Sequence, residues 1–264
     1  MHTVGYEPTE PTEANEAREA ARRLVAVAGR ITVLTGAGVS TESGIPDFRG
    51  PNGQWTTDPQ SRRLSSLAAY RDDPELRRAA WQRRLRHPAW RARPNAAHHA
   101  LLELQRQGRL RALLTQNIDG LHQLAGSDPE LVVELHGTLA RTRCLGCGVL
   151  APMADALRRV RAGEADPPCE RCGGVLKSDT ISFGQRLDGP VLRRAARAAT
   201  DCDLLLAAGT SLRVQPAAGL VGRAAAAGAS VVICNAEPTP YDAMADAVVP
   251  GRLGEILPLL CNRD

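Results

Sequence analysis

The sequence contains few aromatic residues, a single lysine and no long apolar run. Aromatic side chains make up 3% of the 264 residues, so the core must be built mainly from alanine, leucine and valine. Lys177 is the only lysine, which leaves almost no candidate for a Schiff base or for the lysine of a phosphate-binding P-loop. No stretch of about 18 apolar residues occurs, so we expect no membrane span and no membrane partner.

The N-terminal segment also lacks an apolar core. Residues 1–15 are acidic and rich in proline and threonine, which does not fit a secretory signal peptide. We therefore expect a cytoplasmic protein, and we predict that residues 1–12 form a disordered tail. The formal charge of +4 is small. It favours a solvated arginine-rich surface over a nucleic-acid-binding one, so no specific nucleic acid partner is expected.

The cysteines carry the most specific pattern in the chain. Two Cys-x-x-Cys pairs, Cys144/Cys147 and Cys169/Cys172, lie at about the separation found in zinc ribbons. Four thiolates would complete a tetrahedron around one Zn²⁺ and leave no position for water, so the predicted zinc is structural. Two unrelated redox pairs are the alternative. The other three cysteines lie among apolar residues and are expected to be buried thiols in a reducing compartment.

Apolar runs and helical patterns alternate along most of the chain. Strands predicted at 31–35, 110–114, 131–135, 204–208 and 231–234 are separated by helical segments, which predicts an α/β fold with a Rossmann-like parallel sheet. The sheet domain comprises residues 13–60, 95–141 and 178–264. A helical insert at 61–94 and a small zinc-ribbon module at 142–177 interrupt it.

Polar and glycine-rich segments follow several of these strands. Gly36-Ala37-Gly38 follows the first strand, and Gly209-Thr210-Ser211 and Asn235-Ala236-Glu237 follow two others. Such strand ends can hold the phosphates and riboses of a dinucleotide. A dehydrogenase would have a third glycine where this chain has Thr41, so hydride transfer is disfavoured. The polar segment from Ser43 to Trp55 instead resembles a flap over a ligand.

His136 differs from the other histidines because it ends an apolar strand and precedes a glycine. That position places an imidazole at the ligand edge of the sheet, where a general base is the natural role and a structural histidine the alternative. His122 could be either, and His98 and His99 fit packing or surface positions within a helix.

Together these motifs resemble the sirtuin family of NAD-dependent protein deacylases. The resemblance rests on Gly36–Ser40, Gly44–Arg49, Thr115–Asp119, His136-Gly137, the four cysteines, Phe183-Gly184 and Gly209–Ser211, in the order and spacing of that family. It covers roughly residues 20–260. Ala80-Trp81-Gln82-Arg83 is closer to the branch that contains the lipoamidase-like sirtuins.

The resemblance implies a role for each motif. His136 and Asn117 would be catalytic. The NAD-binding residues would be Gly36, Ala37, Gly38, Ser40, Asp47, Phe48, Arg49, Trp55, Gln116, Asn117, Ile118, Asp119, Gly209, Thr210, Ser211, Asn235, Glu237 and Leu253. Those that contact the acyl-lysine would be Ile181, Phe183, Gly184 and Val214.

It also implies a reaction and its partners. NAD would be consumed as a co-substrate, and the acyl group of a protein lysine would move to ADP-ribose with release of nicotinamide. Substrates would be acyl-lysine proteins, with acyl-CoA synthetases as an expectation. Deacetylation is the predicted default, and succinyl groups are disfavoured because Ala80, near Arg83, replaces the tyrosine of desuccinylating members. A protein mono-ADP-ribosyltransferase and a non-enzymatic zinc-ribbon binding module are the alternatives.

Overall fold

The structure is a computed structural model that describes residues 11–51, 53–58 and 60–262. The helices are α1 (Pro11–Val27), α2 (Gln54–Thr57), α3 (Gln60–Leu64), α4 (Leu67–Asp72), α5 (Pro74–Leu85), α6 (Ala96–Arg106), α7 (Leu121–Ala125), α8 (Met153–Arg161), α9 (Gly189–Thr200), α10 (Gly219–Ala226) and α11 (Leu253–Cys261). The strands are β1 (Ile31–Thr35), β2 (Leu110–Thr115), β3 (Val132–Glu134), β4 (Gly137–Cys144), β5 (Leu150–Pro152), β6 (Leu176–Thr180), β7 (Leu204–Ala208), β8 (Ser230–Cys234) and β9 (Ala247–Val249). Within the described ranges, no helix combines the length and apolar character that crossing a membrane requires.

The larger sheet consists of six parallel strands in the order β3-β2-β1-β7-β8-β9. The predicted α/β fold with a parallel sheet is confirmed, and all five predicted strands lie in this sheet. The chain moves outward from β1 to β3 and later returns to β7, which pairs with β1. The carboxyl ends of β1 and β7 therefore flank the point where the strand order reverses, which is where ligands bind in open α/β sheets.

Helices cover both faces of this sheet. α1, α6 and α11 pack on one face with Ile31 and Val33 of β1, and α9 and α10 pack on the other face with Leu34. Successive side chains of a strand point to opposite faces, so burial on both faces requires a continuous apolar run. That is why the sequence of β1 and β7 shows no polar alternation.

A smaller antiparallel sheet, in the order β5-β4-β6, carries the cysteines. Trp81 of α5 packs in one apolar cluster with Cys144, Leu157 and Cys169. An ion pair of 2.7 Å between Arg77 Nε and the Asp166 carboxylate joins the same two segments. The helical insert and the zinc-binding module, predicted as separate segments, thus pack against each other and share a core.

Several local features differ from the sequence-based expectations. The smaller sheet extends from Gly137 to Thr180, beyond the predicted 142–177. The start of β4 was not predicted because Gly-Thr-Leu-Ala-Arg-Thr-Arg-Cys contains no long apolar run. A 3-10 helix at Ala37–Ser43 begins within the Gly36-Ala37-Gly38 turn. No prediction covered α9 or β9. The predicted tail lies outside the described residues, except that Pro11 and Thr12 begin α1.

Candidate active site

A cavity of about 1010 Å³ opens at the carboxyl ends of β1, β2, β7 and β8. His136 and every residue predicted to contact NAD or acyl-lysine line it: Gly36, Ala37, Gly38, Ser40, Asp47, Phe48, Arg49, Trp55, Gln116, Asn117, Ile118, Asp119, Ile181, Phe183, Gly184, Gly209, Thr210, Ser211, Val214, Asn235, Glu237 and Leu253. Residues from distant parts of the chain therefore meet at one edge of the sheet.

The glycine turns after β1 and β7 contact each other directly. The backbone N–H of Gly38 donates to the carbonyl of Gly209 at 2.9 Å. A Cβ on Gly38 would lie 2.8 Å from Gly209 Cα, and one on Gly209, whose φ is +62°, would lie 2.5 Å from Val39 N. These glycines were expected to make room for a phosphate. The structure adds a second cause, which is that the two backbone turns could not otherwise approach so closely.

A buried hydrogen-bond network holds Asn117 and Asp119 beside the first turn. Asn117 Nδ2 donates to the Gly36 carbonyl at 3.0 Å and to Ser40 Oγ at 3.1 Å. Ser40 Oγ in turn donates to Asp119 Oδ2 at 2.7 Å. Burial raises the pKa of the Asp119 carboxyl, while hydrogen bonds from Leu121 and Ser40 act in the opposite direction. The network orients an amide and a carboxyl group toward one side of the cavity.

His136 lies at the junction of the two sheets. Its Nδ1 is 3.1 Å from the Gln116 carbonyl, which assigns the ring proton to Nδ1 and leaves Nε2 as the acceptor. Burial lowers the pKa of His136, so the ring is neutral near neutral pH. A Cβ on Gly137 would lie 2.0 Å from the Asp179 carbonyl, so a glycine here lets β6 pass close to the histidine. A neutral imidazole with a free Nε2 can accept a proton.

The segment predicted as a flap brings scarce aromatic residues to the cavity. The rings of Phe48 and Trp55 are 5.1 Å apart, and those of Trp55 and Phe183 are 5.4 Å apart. The guanidinium of Arg49 lies 4.5 Å from the centre of the Trp55 ring. Asp47 fixes the turn by accepting a hydrogen bond from Gly50 N at 2.8 Å. Both phenylalanines of the chain therefore lie in this cluster, which joins the flap to the predicted acyl-lysine wall.

The far end of the cavity is formed by the turns after β7 and β8. Gln116 Nε2 donates to Thr210 Oγ1 at 2.9 Å and so links the ends of β2 and β7. Asn235 Nδ2 donates to the Glu237 carbonyl at 2.6 Å, which closes the turn after β8. These contacts preorganise a polar surface of hydroxyl and amide groups along the sheet edge.

On the side of the cavity where acyl-lysine binding was predicted, Phe183 joins the helical insert to the sheet domain. Phe183 N donates to the Ser65 carbonyl at 2.8 Å, and the Phe183 carbonyl accepts from Leu67 N at 3.0 Å. Its side chain remains 49% exposed. Because the backbone groups of Phe183 already have partners, a bound peptide would have to pair with neighbouring residues such as Gly184.

Sequence reasoning missed a group of polar residues that line the same cavity. Tyr70, Arg84, His87 and Lys177 all contribute to its wall. Tyr70 donates a hydrogen bond of 2.8 Å to the Leu176 carbonyl. Burial lowers the pKa of His87 to about 4 and that of Lys177 to about 7. The one available signal was that Lys177 is the only lysine in the chain.

His122, whose role the sequence left open, is structural. It is 1% exposed and its Nε2 lies 3.1 Å from Thr35 Oγ1 at the end of β1. Its ring lies against that of His98, tilted by 50° with the centres 4.9 Å apart. Burial lowers the pKa of His122 to about 3, so it remains neutral inside the protein.

The four predicted zinc ligands lie together in the smaller sheet and its turns. Their sulfur atoms all lie within 4.8 Å of one another. Backbone N–H groups of Gly146 and Cys147 donate to Cys144 Sγ at 3.3 and 3.4 Å, as expected around a thiolate. This arrangement is positioned to bind one structural zinc ion, with no ligand position left for water. None of the four cysteines is among the described residues that line the cavity.

Comparisons with known proteins agree with this geometry. The sequence model of the Sir2 family matches residues 36–216. The NAD-dependent protein deacetylase 2 of Streptomyces coelicolor is 53% identical over 230 residues, which cover 87% of this chain and 95% of the relative.

Solved structures are similar over nearly the whole chain. A Sir2 enzyme solved in a study of mechanism and regulation superposes with a TM-score of 0.83 at 38% identity, covering 94% of this chain and 96% of that one. A Sir2 protein with a deacetylated p53 peptide and 3'-O-acetyl ADP-ribose also gives 0.83, at 32% identity and with 91% and 96% covered. The chain belongs to the Sir2 family.

Proposed function

We propose that this protein is an NAD-dependent protein-lysine deacylase that transfers the acyl group to ADP-ribose and releases nicotinamide. The observation that carries the proposal is that His136, the Asn117–Ser40–Asp119 network and the paired glycine turns line one cavity. A binding module would need no neutral histidine beside such a network. The names of relatives and the ligands of similar structures support the same reaction.

The cofactor side of the cavity follows from its chemistry. We infer that the turns at Gly36–Ser40 and Gly209–Ser211 bind the pyrophosphate and adjacent ribose, because backbone amides and hydroxyl groups suit these oxygens. Asn235, Glu237 and Leu253 would hold the adenosine end. Asn117, Ile118 and Asp119 would hold the nicotinamide, with Asp119 accepting from its carboxamide and Gln116 contacting the ribose.

The flap serves to exclude water. When NAD is bound, loss of nicotinamide exposes an electrophilic ribose carbon that the acyl-lysine oxygen can attack. Phe48, Trp55 and Phe183 form an apolar cover that is expected to keep water away from this carbon. Asp47 and Arg49 hold the cover in place.

His136 is proposed to act as the general base. Its Nδ1–H is held by the Gln116 carbonyl, so Nε2 is the atom available to take a proton from a ribose hydroxyl. Asn117 contributes by positioning the neighbouring loop. The zinc ion has a structural role, because its four thiolates leave no open position and lie outside the cavity wall.

The proposed substrates are proteins that carry acyl-lysine, bound along Ile181, Phe183, Gly184 and Val214. Acyl-CoA synthetases are the substrates that we propose to test first. A cytoplasmic location is proposed because four clustered free thiols fit a reducing compartment.

Acetyl is the proposed preferred acyl group. Ala80 and Arg83 occupy the positions at which desuccinylating members carry a tyrosine and an arginine. Both residues line the cavity, and Arg83 already pairs with the Asp58 carboxylate. Arg84 also lines the cavity, and its positive charge can attract the carboxylate of a succinyl group. The peptide panel must therefore include succinyl-lysine. We expect deacetylation to be faster than desuccinylation, and any residual desuccinylation to depend on Arg84.

The decisive experiment incubates the protein with NAD and acyl-lysine peptides of several chain lengths. Mass spectrometry should detect free lysine peptide, nicotinamide and O-acyl-ADP-ribose in equal amounts. Transfer of ADP-ribose to protein without deacylated peptide would instead support the mono-ADP-ribosyltransferase alternative. NAD-independent binding without turnover would support the binding module.

A further inference from the structure

A second concave surface lies away from the active site. Arg111, the second residue of β2, and Leu131, just before β3, place it at the amino ends of these strands, opposite the edge that carries the active site. Helix α9 forms its other wall. The cavity measures about 520 Å³. We call it the arginine pocket and define it by Arg111, Glu130, Arg193, Arg194 and Arg197.

The arginine pocket has a strong excess of positive charge. Four guanidinium groups and a single carboxylate line it. Arg193, Arg194 and Arg197 all lie on α9, with Arg193 and Arg197 four residues apart on one face. Like charges at this spacing repel one another and destabilise a helix. An anion bound among these guanidinium groups would relieve that repulsion.

The described part of the chain does not supply those anions. Arg111 pairs with the Asp201 carboxylate at 2.9 Å, but Asp201 also pairs with Arg30 at 2.8 Å. Arg194 donates to the backbone carbonyl of Glu130, not to its carboxylate. Within residues 11–51, 53–58 and 60–262, no carboxylate lies within ion-pair distance of the three α9 guanidinium groups, although Glu130 lines the same pocket.

We propose that the arginine pocket binds a small polyanion that carries at least two adjacent phosphate groups. Planar guanidinium groups bind phosphate oxygens through paired hydrogen bonds, and several of them converging on one space suit neighbouring phosphates. The cavity volume falls in the range of small-molecule sites, about 300–1,000 Å³. No aromatic residue is among those that line it, so a stacked nucleobase is not favoured.

NMR spectroscopy of the whole, isotope-labelled protein with inorganic tripolyphosphate tests this assignment. The active-site cavity could also bind tripolyphosphate. The residues whose chemical shifts change therefore show which of the two sites is occupied. We expect saturable shifts of the α9 backbone amides and of the Arg193 and Arg197 side-chain N–H groups. Inorganic monophosphate should cause the same shifts with at least tenfold weaker affinity.

The variant Arg193→Gln/Arg197→Gln should weaken tripolyphosphate binding at α9 at least tenfold. The matched control is Arg158→Gln/Arg161→Gln on α8, which removes the same charge from another exposed helix and should leave these shifts unchanged. Arg193→Lys/Arg197→Lys, which keeps the charge, should give intermediate affinity.

Four results would overturn the proposal. The first is shifts confined to the active-site cavity, and the second is linear, non-saturable shifts at α9. The third is tighter binding of a single-stranded oligoribonucleotide through the same arginines, which would assign the pocket to a macromolecule. Equal loss of affinity in the α8 control would show that net charge alone is responsible.

Discussion

At the residue scale, the protonation state of His136 should set the acidic limit of activity. Burial lowers its pKa below the ordinary value of 6.5, so the neutral form that can accept a proton persists at mildly acidic pH. Activity should therefore fall only as the pH drops below the usual imidazole range, as seen in a pH profile of kcat/KM. His136→Ala should lower kcat by about 10²–10⁴-fold.

Exposed His99 on α6 provides the matched control, since it lies outside the cavity wall. His99→Ala should keep the wild-type rate and pH profile. Full deacylase activity in His136→Ala would rule out the proposed base.

The contact between the glycine turns can be tested with two substitutions that share one backbone conformation. Gly209 has φ +62° and no room for a Cβ, whereas Gly108 has φ +70° and open space around it. Gly108→Ala should cost about 1 kcal/mol, the strain of a left-handed alanine. Gly209→Ala should lower the free energy of unfolding by more than this, as measured by denaturant unfolding. It should also weaken NAD binding, as measured by calorimetric titration. If the two substitutions had equal effects, backbone strain alone would explain why position 209 requires glycine.

At the element scale, the aromatic flap should control how NAD is used. Trp55→Leu removes ring contacts with both Phe48 and Phe183, and each such pair contributes about 0.5–1.5 kcal/mol. We expect the ratio of NAD hydrolysis to deacylation to rise about tenfold, measured as nicotinamide release with and without acyl-peptide. Trp90→Leu, outside the cavity wall, makes the same chemical change and should leave the ratio unaltered.

The zinc module should affect acyl-peptide binding more than NAD binding. Cys169 packs with Trp81 of α5, and the same helix carries Ala80 and Arg83 in the cavity wall. The glycine turns that we propose to bind NAD, by contrast, follow strands of the larger sheet. Cys169→Ser or chelation should therefore raise the peptide KM at least tenfold with a smaller change in NAD affinity. Cys202→Ser, a buried thiol outside the cluster, is the control, and equal losses for both ligands would contradict the prediction.

At the scale of the whole molecule, the sequence predicted the parallel sheet, and the residues predicted to form the site line one cavity at its edge. Apolar runs identify strands buried on both faces, and polar residues that follow those strands must meet at one edge. Tyr70 and Arg84 were missed because they lie on helices whose position depends on long-range packing. The same is true of Trp81, which no local pattern could place beside Cys169. The contact of the two glycine turns likewise required knowing that β1 and β7 are neighbours.

Because the cavity lies across the ends of four strands of the larger sheet, we predict that ADP-ribose binding stabilises the entire fold. The ligand would bridge turns that follow β1, β2, β7 and β8, so unfolding any of these strands would release it. At a concentration 100 times its Kd, a ligand that binds only the native state adds about 2.7 kcal/mol. For a domain of this size that corresponds to a Tm increase of about 5–10 °C in scanning calorimetry. His136→Ala should retain the increase, because the base is not required for binding, whereas Gly209→Ala should lose most of it. A Tm that does not change with ADP-ribose would show that the cavity is not the nucleotide site.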